Sequence, residues 1–169
     1  MRDSLMELEF KNFKDIPNFD EKLQGFLDSL DDELEHWRGH EEKNGRLRVR
    51  YPMVGYACLD GDKIVAISYY IVPEKFSPRW FFDLFFRPKG FEGGAVVKKE
   101  YHRRGIASHL NSLKMGVLRE MRVNHFWYRV DYDNTPSLKF AEKMGRKPWR
   151  KTEKQVYYSV EIEEDVPYG

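Results

Sequence analysis

The sequence has a single cysteine, Cys58, among its 169 residues. A lone thiol excludes an internal disulfide and any site built from several cysteines. No apolar run approaches the ~20 residues that span a bilayer, so no membrane segment is expected. The opening residues, Met1-Arg2-Asp3-Ser4, carry an acid and no apolar stretch. No secretory leader is therefore expected there, and a cytoplasmic location is the expectation. An excess of one charge is missing as well: 29 Lys+Arg face 28 Asp+Glu, a net charge of +1. A dedicated nucleic-acid binder is more lopsided, and neither nucleic acid nor membrane is expected as a partner. His36, His40, His109 and His125 show no metal-ligand spacing among themselves, and no metal site is expected. There is no internal repeat, linker or low-complexity tract, and no P-loop or dinucleotide fingerprint.

What is present suits one packed domain over residues 1–169, with residues 163–169 as a frayed acidic tail. Hydrophobic residues make up 41% and aromatics 15%, too much for a disordered chain. The small net charge hides an asymmetry. Residues 1–37 hold eleven acids and four bases, whereas residues 98–154 hold fifteen bases and six acids. A polyanionic ligand is drawn toward the second half, although solvated faces of a charge-rich protein give the same counts.

Apolar spacing predicts the elements. Leu5 to Phe13 reads as an edge strand. Phe19, Leu23, Phe26, Leu27, Leu30, Leu34 and Trp37 form one helical stripe, entered from Asn18 as N-cap and closed near Gly39. Residues 40–51 read as loop. Met53 to Leu59 and Lys63 to Val72 flank Asp60-Gly61-Asp62, a hairpin signal. Trp80 to Phe91 is crowded with aromatics and has no period, which suits core or a homodimer contact more than an acceptor pocket. Gly90, Gly93 and Gly94 open a strand at Ala95 to Lys99. Ile106, Leu110, Leu113, Val117, Leu118 and Met121 mark a helix over 105–121. His125 to Tyr132 reads as a strand. Asn134 caps a short helix with Pro136 in its first turn, Leu138, Ala141 and Met144 on its buried side, and Gly145 at its end. Gln155 to Ile162 alternates as a last strand. The order β-α-β-β-β-α-β-α-β is an α/β (α+β) arrangement.

The chemistry is concentrated in Val96-Val97-Lys98-Lys99-Glu100-Tyr101-His102-Arg103-Arg104-Gly105-Ile106-Ala107-Ser108. A strand runs through a basic turn into a helix N-terminus, whose unpaired N–H groups and partial positive charge suit an anion. Gly105 and Ala107 let a pyrophosphate approach the backbone, and Arg103 and Arg104 add charge. An ordinary helix start with solubilising arginines has the same pattern.

Tyr101-His102-Arg103-Arg104-Gly105-Ile106-Ala107 resembles the Gln/Arg-x-x-Gly-x-Gly/Ala acyl-CoA motif of the GNAT superfamily of N-acyltransferases. Asp133-Asn134-Thr135-Pro136-Ser137 through Lys143-Met144-Gly145 is similar to that family's asparagine-led helix. The resemblance implies a mixed, mostly antiparallel central sheet flanked by helices. It also implies acyl transfer, acetyl by default, from acetyl-CoA to a primary amine, on a small molecule or peptide, by direct attack on the thioester. Main-chain groups of Val96 and Val97 would meet the pantetheine arm. Backbone groups from His102, Arg103 and Arg104 through Gly105, Ile106, Ala107 and Ser108 would cradle the pyrophosphate. Asn134, with Ser137 beside it, would meet the thioester region, and Lys139 or Lys143 the 3′-phosphate.

Two positions depart from the pattern. His102 stands where the family has Gln or Arg, which makes phosphate binding mildly pH-dependent. Ala141 stands where many members keep a tyrosine acid, so the departing thiolate takes its proton from Tyr128, Tyr132, Tyr157 or solvent. Glu92, Asp131 and Asp133 are the candidate proton acceptors for the amine, with Glu92, Asp131 and Tyr132 the leading catalytic candidates. The missing tyrosine keeps open a non-catalytic acyl-CoA-binding or partner-binding domain. Arg146-Lys147-Pro148-Trp149-Arg150-Lys151 reads either as a solvated hairpin or as a single-strand contact.

Overall fold

The computed structural model describes residues 8–37, 39–50, 52–72, 77–78, 80–81, 85 and 90–162. Most of the aromatic stretch within 80–91, and the tail at 163–169, therefore lie outside the described residues. Seven strands form one sheet in the order β1-β4-β5-β6-β7-β9-β8. In chain order the elements are β1 (Leu8–Asn12), α1 (Phe19–Asp28), β2 (His40–Lys43), β3 (Arg46–Val49), β4 (Met53–Asp60), β5 (Lys63–Ile71), β6 (Phe91–Val97), α2 (Ile106–Glu120), β7 (His125–Asp131), α3 (Thr135–Lys143), β8 (Pro148–Lys151) and β9 (Gln155–Glu161). Every pairing is antiparallel except β6 with β7. The expected mixed, mostly antiparallel sheet is present. Of three short strands that were not expected, β8 extends this sheet at the edge beside β9, and β2 and β3 form a separate two-stranded sheet.

Strand alternation sorts the two faces. Ala57, Leu59, Ile67, Tyr69 and Val96 pack under α1 with Leu23, Phe26, Leu27 and Trp37. On the opposite face Tyr70 and Phe126 meet Val117 and Leu118 of α2, while Val130 and Val156 meet Ala141 of α3. Leu110 and Leu118 are fully buried, and each contributes ~2–3 kcal/mol by leaving water.

Local chemistry explains where the expectations shift. The α1 stripe is not one helix: it stops at Asp28, and a short 3₁₀ turn follows at Asp32–Leu34. Asp28, Asp31, Asp32 and Glu33 set negative charge against the helix C-terminus, which disfavours continuation. Asn18 is left-handed (φ 53°) and makes no side-chain cap. Residues 40–49 are not loop but the β2–β3 hairpin, closed by Asn44 (φ 55°) and Gly45 (φ 72°). That pair suits a tight two-residue turn. Gly93 and Gly94 lie inside β6 rather than ahead of it. Met121 and Met144 are exposed at 38%, and neither joins the buried side of its helix. Asn134, by contrast, caps α3 as its position predicts, its Oδ1 accepting from the Ser137 N–H at 3.3 Å.

Candidate functional site

β6 and β7 pair over two positions only, Phe91 with Phe126 and Glu92 with Trp127. Beyond Glu92 the two strands part. The other edge of β6 stays bound to β5 from Gly93 to Val97. Lys98 N–H donates to Val65 O at 3.0 Å, so alternation turns the main-chain groups of Val96 and Gly94 to β5 as well. Gly93, Ala95 and Val97 turn theirs into the wedge. The result is a strand edge facing an opening.

At the open end of the wedge the chain turns into α2. Arg103 (φ 62°) and Gly105 (φ 78°) are both left-handed, and Gly105 is the N-cap without a side-chain hydrogen bond. The first intrahelical bond is His109 N–H to Gly105 O at 3.0 Å. Ile106, Ala107 and Ser108 thus present N–H groups with no acceptor in the helix. The first turn carries no acid. His102 Nε2 lies 2.8 Å from Val97 O, so the ring ties the turn to the strand end. Arg104 donates to Glu100 O at 3.1 Å and lies over the Tyr101 ring. Lys99 pairs instead with Asp32, whose carboxyl it holds below the usual range.

The α1 side of the wedge is acidic. Glu92, a tenth exposed, faces Arg129 Nε at 3.4 Å. Asp131 accepts from Gln155 Nε2 at 2.6 Å and lies 3.5 Å from His36 Nδ1, which is also 3.6 Å from Asp133. The indole N–H of Trp37 donates to the Tyr69 hydroxyl, and burial raises the pKa of that phenol. A Cβ at Gly94 would lie 2.5 Å from the same oxygen. Glycine is therefore required for β6 to lie against Tyr69. An open cleft of about 770 Å³ adjoins this region, lined by Asp131, Tyr132, Asp133 and the 152–155 turn. Glu35, His36 and Asp133 bring ligand atoms within 4.8 Å of one another.

The three tyrosine candidates separate by face. Tyr132 is 45% exposed at the turn after β7. The Tyr157 hydroxyl donates to Gln155 Oε1 at 3.3 Å, on the α1 face. Tyr128 lies on the other face, stacked on Tyr158 at 5.1 Å, and its buried hydroxyl has no partner. It packs in the same cluster as Ala141. Burial pushes this phenol up to about 12, with the Arg146 charge acting against it. Lys139 and Lys143 lie on the solvent side of α3. Arg146 and Lys147 lead into β8, which contains Trp149 and pairs with β9 at the sheet edge.

Two residues here carry no motif. His36 falls in an acidic run, and only the fold brings it to β7. Lys114 is 4% exposed on the inner face of α2. Its signal was available, since it lies four residues after Leu110 and three before Val117 on the apolar stripe.

The Acetyltransferase (GNAT) family model matches residues 4–145. No curated protein matches the chain. Among solved structures, the GNAT domain of S. lividans PAT is similar at TM-score 0.68 and 20% identity, covering 92% of this chain and 90% of that one. An acetyltransferase of the GNAT family from Streptococcus pneumoniae gives TM-score 0.62 at 14% identity, covering 92% and 100%. An N-acetyltransferase from Staphylococcus aureus gives 0.60 at 10%, covering 92% and 99%. At these identities the likeness is one of fold. Among the described residues no helix is long and apolar enough to cross a membrane.

Proposed function

This chain belongs to the GNAT acetyltransferase family, and we propose that it transfers an acyl group from an acyl-CoA, such as acetyl-CoA, to a primary amine by direct attack on the thioester. One observation carries the reading: the β6–β7 wedge opens directly onto the uncapped N-terminus of α2. The residues present fit coenzyme A. Backbone N–H groups of Arg103 through Ser108 suit a pyrophosphate, and the edge of Gly93, Ala95 and Val97 suits the amides of a pantetheine arm. Asn134 and Ser137 would flank that arm from the start of α3. When bound, the thioester supplies an activated acyl carbonyl.

The acidic face suits the acceptor. Glu92 and Asp131 draw a cationic amine to the α1 side. Glu92, at the closed end of the wedge, takes the amine proton directly or through a water. As the C–N bond forms and the C–S bond breaks, Tyr128 gives its proton to the departing sulfur. Its unpartnered hydroxyl lies on the first β7 residue past the last paired position. Orientation of amine and thioester in the wedge supplies most of the acceleration.

The test is a melt with acetyl-CoA followed by thiol release over a panel of amines. Ligand that binds only the folded chain raises its melting temperature, and Gly105→Glu should abolish that rise by placing a carboxylate at the phosphate turn. Tyr128→Phe should lower kcat about a hundredfold, ~2.7 kcal/mol of transition-state stabilisation. An unshifted wild-type melt at millimolar acetyl-CoA sinks the proposal. Tight binding without turnover on any amine makes the chain a binding module.

A further inference from the structure

Among the described residues, the fully buried polar side chains are Ser68 and Lys114. Both reach one atom. Gly94 O lies 3.5 Å from Ser68 Oγ and 3.5 Å from Lys114 Nζ, the far limit of a hydrogen bond. The ammonium otherwise meets ring faces, 4.9 Å from the centroid of Tyr70 and 5.4 Å from that of Phe126. A second cation, Arg146, stands 5.9 Å from the same Phe126 ring. Burial first, then the Arg146 charge, holds the Lys114 ammonium down at about 7, and no carboxylate contributes. A buried cation without an anion is strongly unfavourable in a folded chain. An anionic group placed beside it would relieve that cost.

The position says which one. Gly93 is the first β6 residue past the last β6–β7 pair. A Cβ there would lie 3.3 Å from Lys114 Nζ and 3.2 Å from Phe126 Cδ2. The ammonium therefore stands at the closed end of the wedge, opposite the phosphate turn at its mouth. On the proposed reading, the acyl end of the donor points to this end. The acceptor approaches from the α1 face, where Glu92 and Asp131 lie; the cations lie on the α2–α3 face. An anion at Lys114 is then part of the donor's acyl chain and not of the acceptor.

We propose that this spot receives a carboxylate, and that the preferred donor carries a dicarboxylic acyl group, such as succinyl, whose free carboxylate ends against Lys114, Ser68 and Arg146. The inference rests on the acyltransferase reading and adds the substrate class. The chemistry at the thioester is unchanged: the C–N bond forms, the C–S bond breaks, and the distal carboxylate stays ionised. It supplies the counter-charge that Lys114 lacks in the free protein.

Calorimetric titration with succinyl-CoA, butyryl-CoA and acetyl-CoA tests this, butyryl being the uncharged chain of similar length. The wild type should bind succinyl-CoA at least tenfold tighter than butyryl-CoA. Lys114→Met should bring that ratio within twofold, and Lys114→Arg should keep part of it. Removing a buried charge does not threaten the fold. Succinyl-CoA bound no tighter than butyryl-CoA, or a ratio that survives Lys114→Met, overturns the inference and leaves the family reading standing if acetyl-CoA still binds. Failure of all three esters to bind overturns both.

Discussion

Replacing Lys114 with methionine should stabilise the protein, and the gain should depend on pH in a way that packing cannot imitate. The unfolded chain keeps the ammonium proton to its ordinary value of 10.5, and the folded chain releases it at about 7. Between those values the unfolded state binds more protons, so wild-type stability rises with pH. The penalty is complete below about pH 7 and is gone above about pH 10.5. At ~1.36 kcal/mol per pH unit of separation, it amounts to about 4 kcal/mol at pH 7. Local relaxation and water entry reduce it, and half that value is still easily measured. Tyr70, the phenol facing Lys114 from β5, is raised by burial above this window, and the β7 ring facing it, Phe126, carries no titrating group.

Lys114→Met removes the titrating group and keeps the chain length and apolar stem. Urea unfolding of both proteins at pH 6, 7, 8.5 and 10 gives the difference directly. The mutant should lead by several kcal/mol at pH 6, on the order of 10 °C in melting temperature for a chain of this size. By pH 10 the two should converge to within ~1 kcal/mol, the packing difference of a volume-conserving swap. A gap that stays constant from pH 6 to pH 10 refutes the buried-charge argument. It also removes the reason for seeking an anion there.

The elements legible in the sequence are those whose burial is one-sided and periodic. α2 and α3 announced themselves through apolar spacing, capping and small residues, and both motifs lie where strand meets helix. The β2–β3 hairpin was hidden because most of its residues are exposed, with only His40, Leu47 and Val49 partly buried, too few apolar positions to show a period; only Asn44-Gly45 betrayed it. The site is harder to read than the fold because it depends on a missing pairing. Nothing in Gly93 to Val97 says that β7 leaves this strand after two residues; that follows from where α2 returns the chain. Lys114 illustrates the limit most clearly. The spacing of Lys114 from Leu110 and Val117 puts it on the apolar stripe, but a lysine there reads as a stem reaching to solvent, and its 4% exposure shows that the ammonium itself is buried. Glu92 and Arg129 are far apart in sequence, and their pairing needs the β6–β7 register to be known.

Other perturbations test the local arguments. Asn134→Ala removes the α3 cap and should lower stability by ~1 kcal/mol, visible as a few degrees in a thermal melt. Gly90→Ala should be much worse, because Gly90 has φ 92° and a Cβ would lie 1.9 Å from His125 O; a melting temperature within a degree of wild type refutes the close approach of β6 to β7 at its start. Ala141→Tyr is the most informative substitution, since it supplies the tyrosine that the family resemblance leads one to expect at this position. Ala141 is fully buried beside Val130, Val156 and Tyr158, and Tyr128 packs into the same cluster with its hydroxyl unpartnered. A second phenol there overpacks the α3 face and should destabilise by at least ~1–3 kcal/mol. It should not restore kcat to Tyr128→Phe, because that volume is reachable from β7 and is already shaped for a ring arriving from the strand. A double variant that folds as well as wild type and turns over at the wild-type rate would show that the helix position still serves the acid, and that Tyr128 had not replaced it.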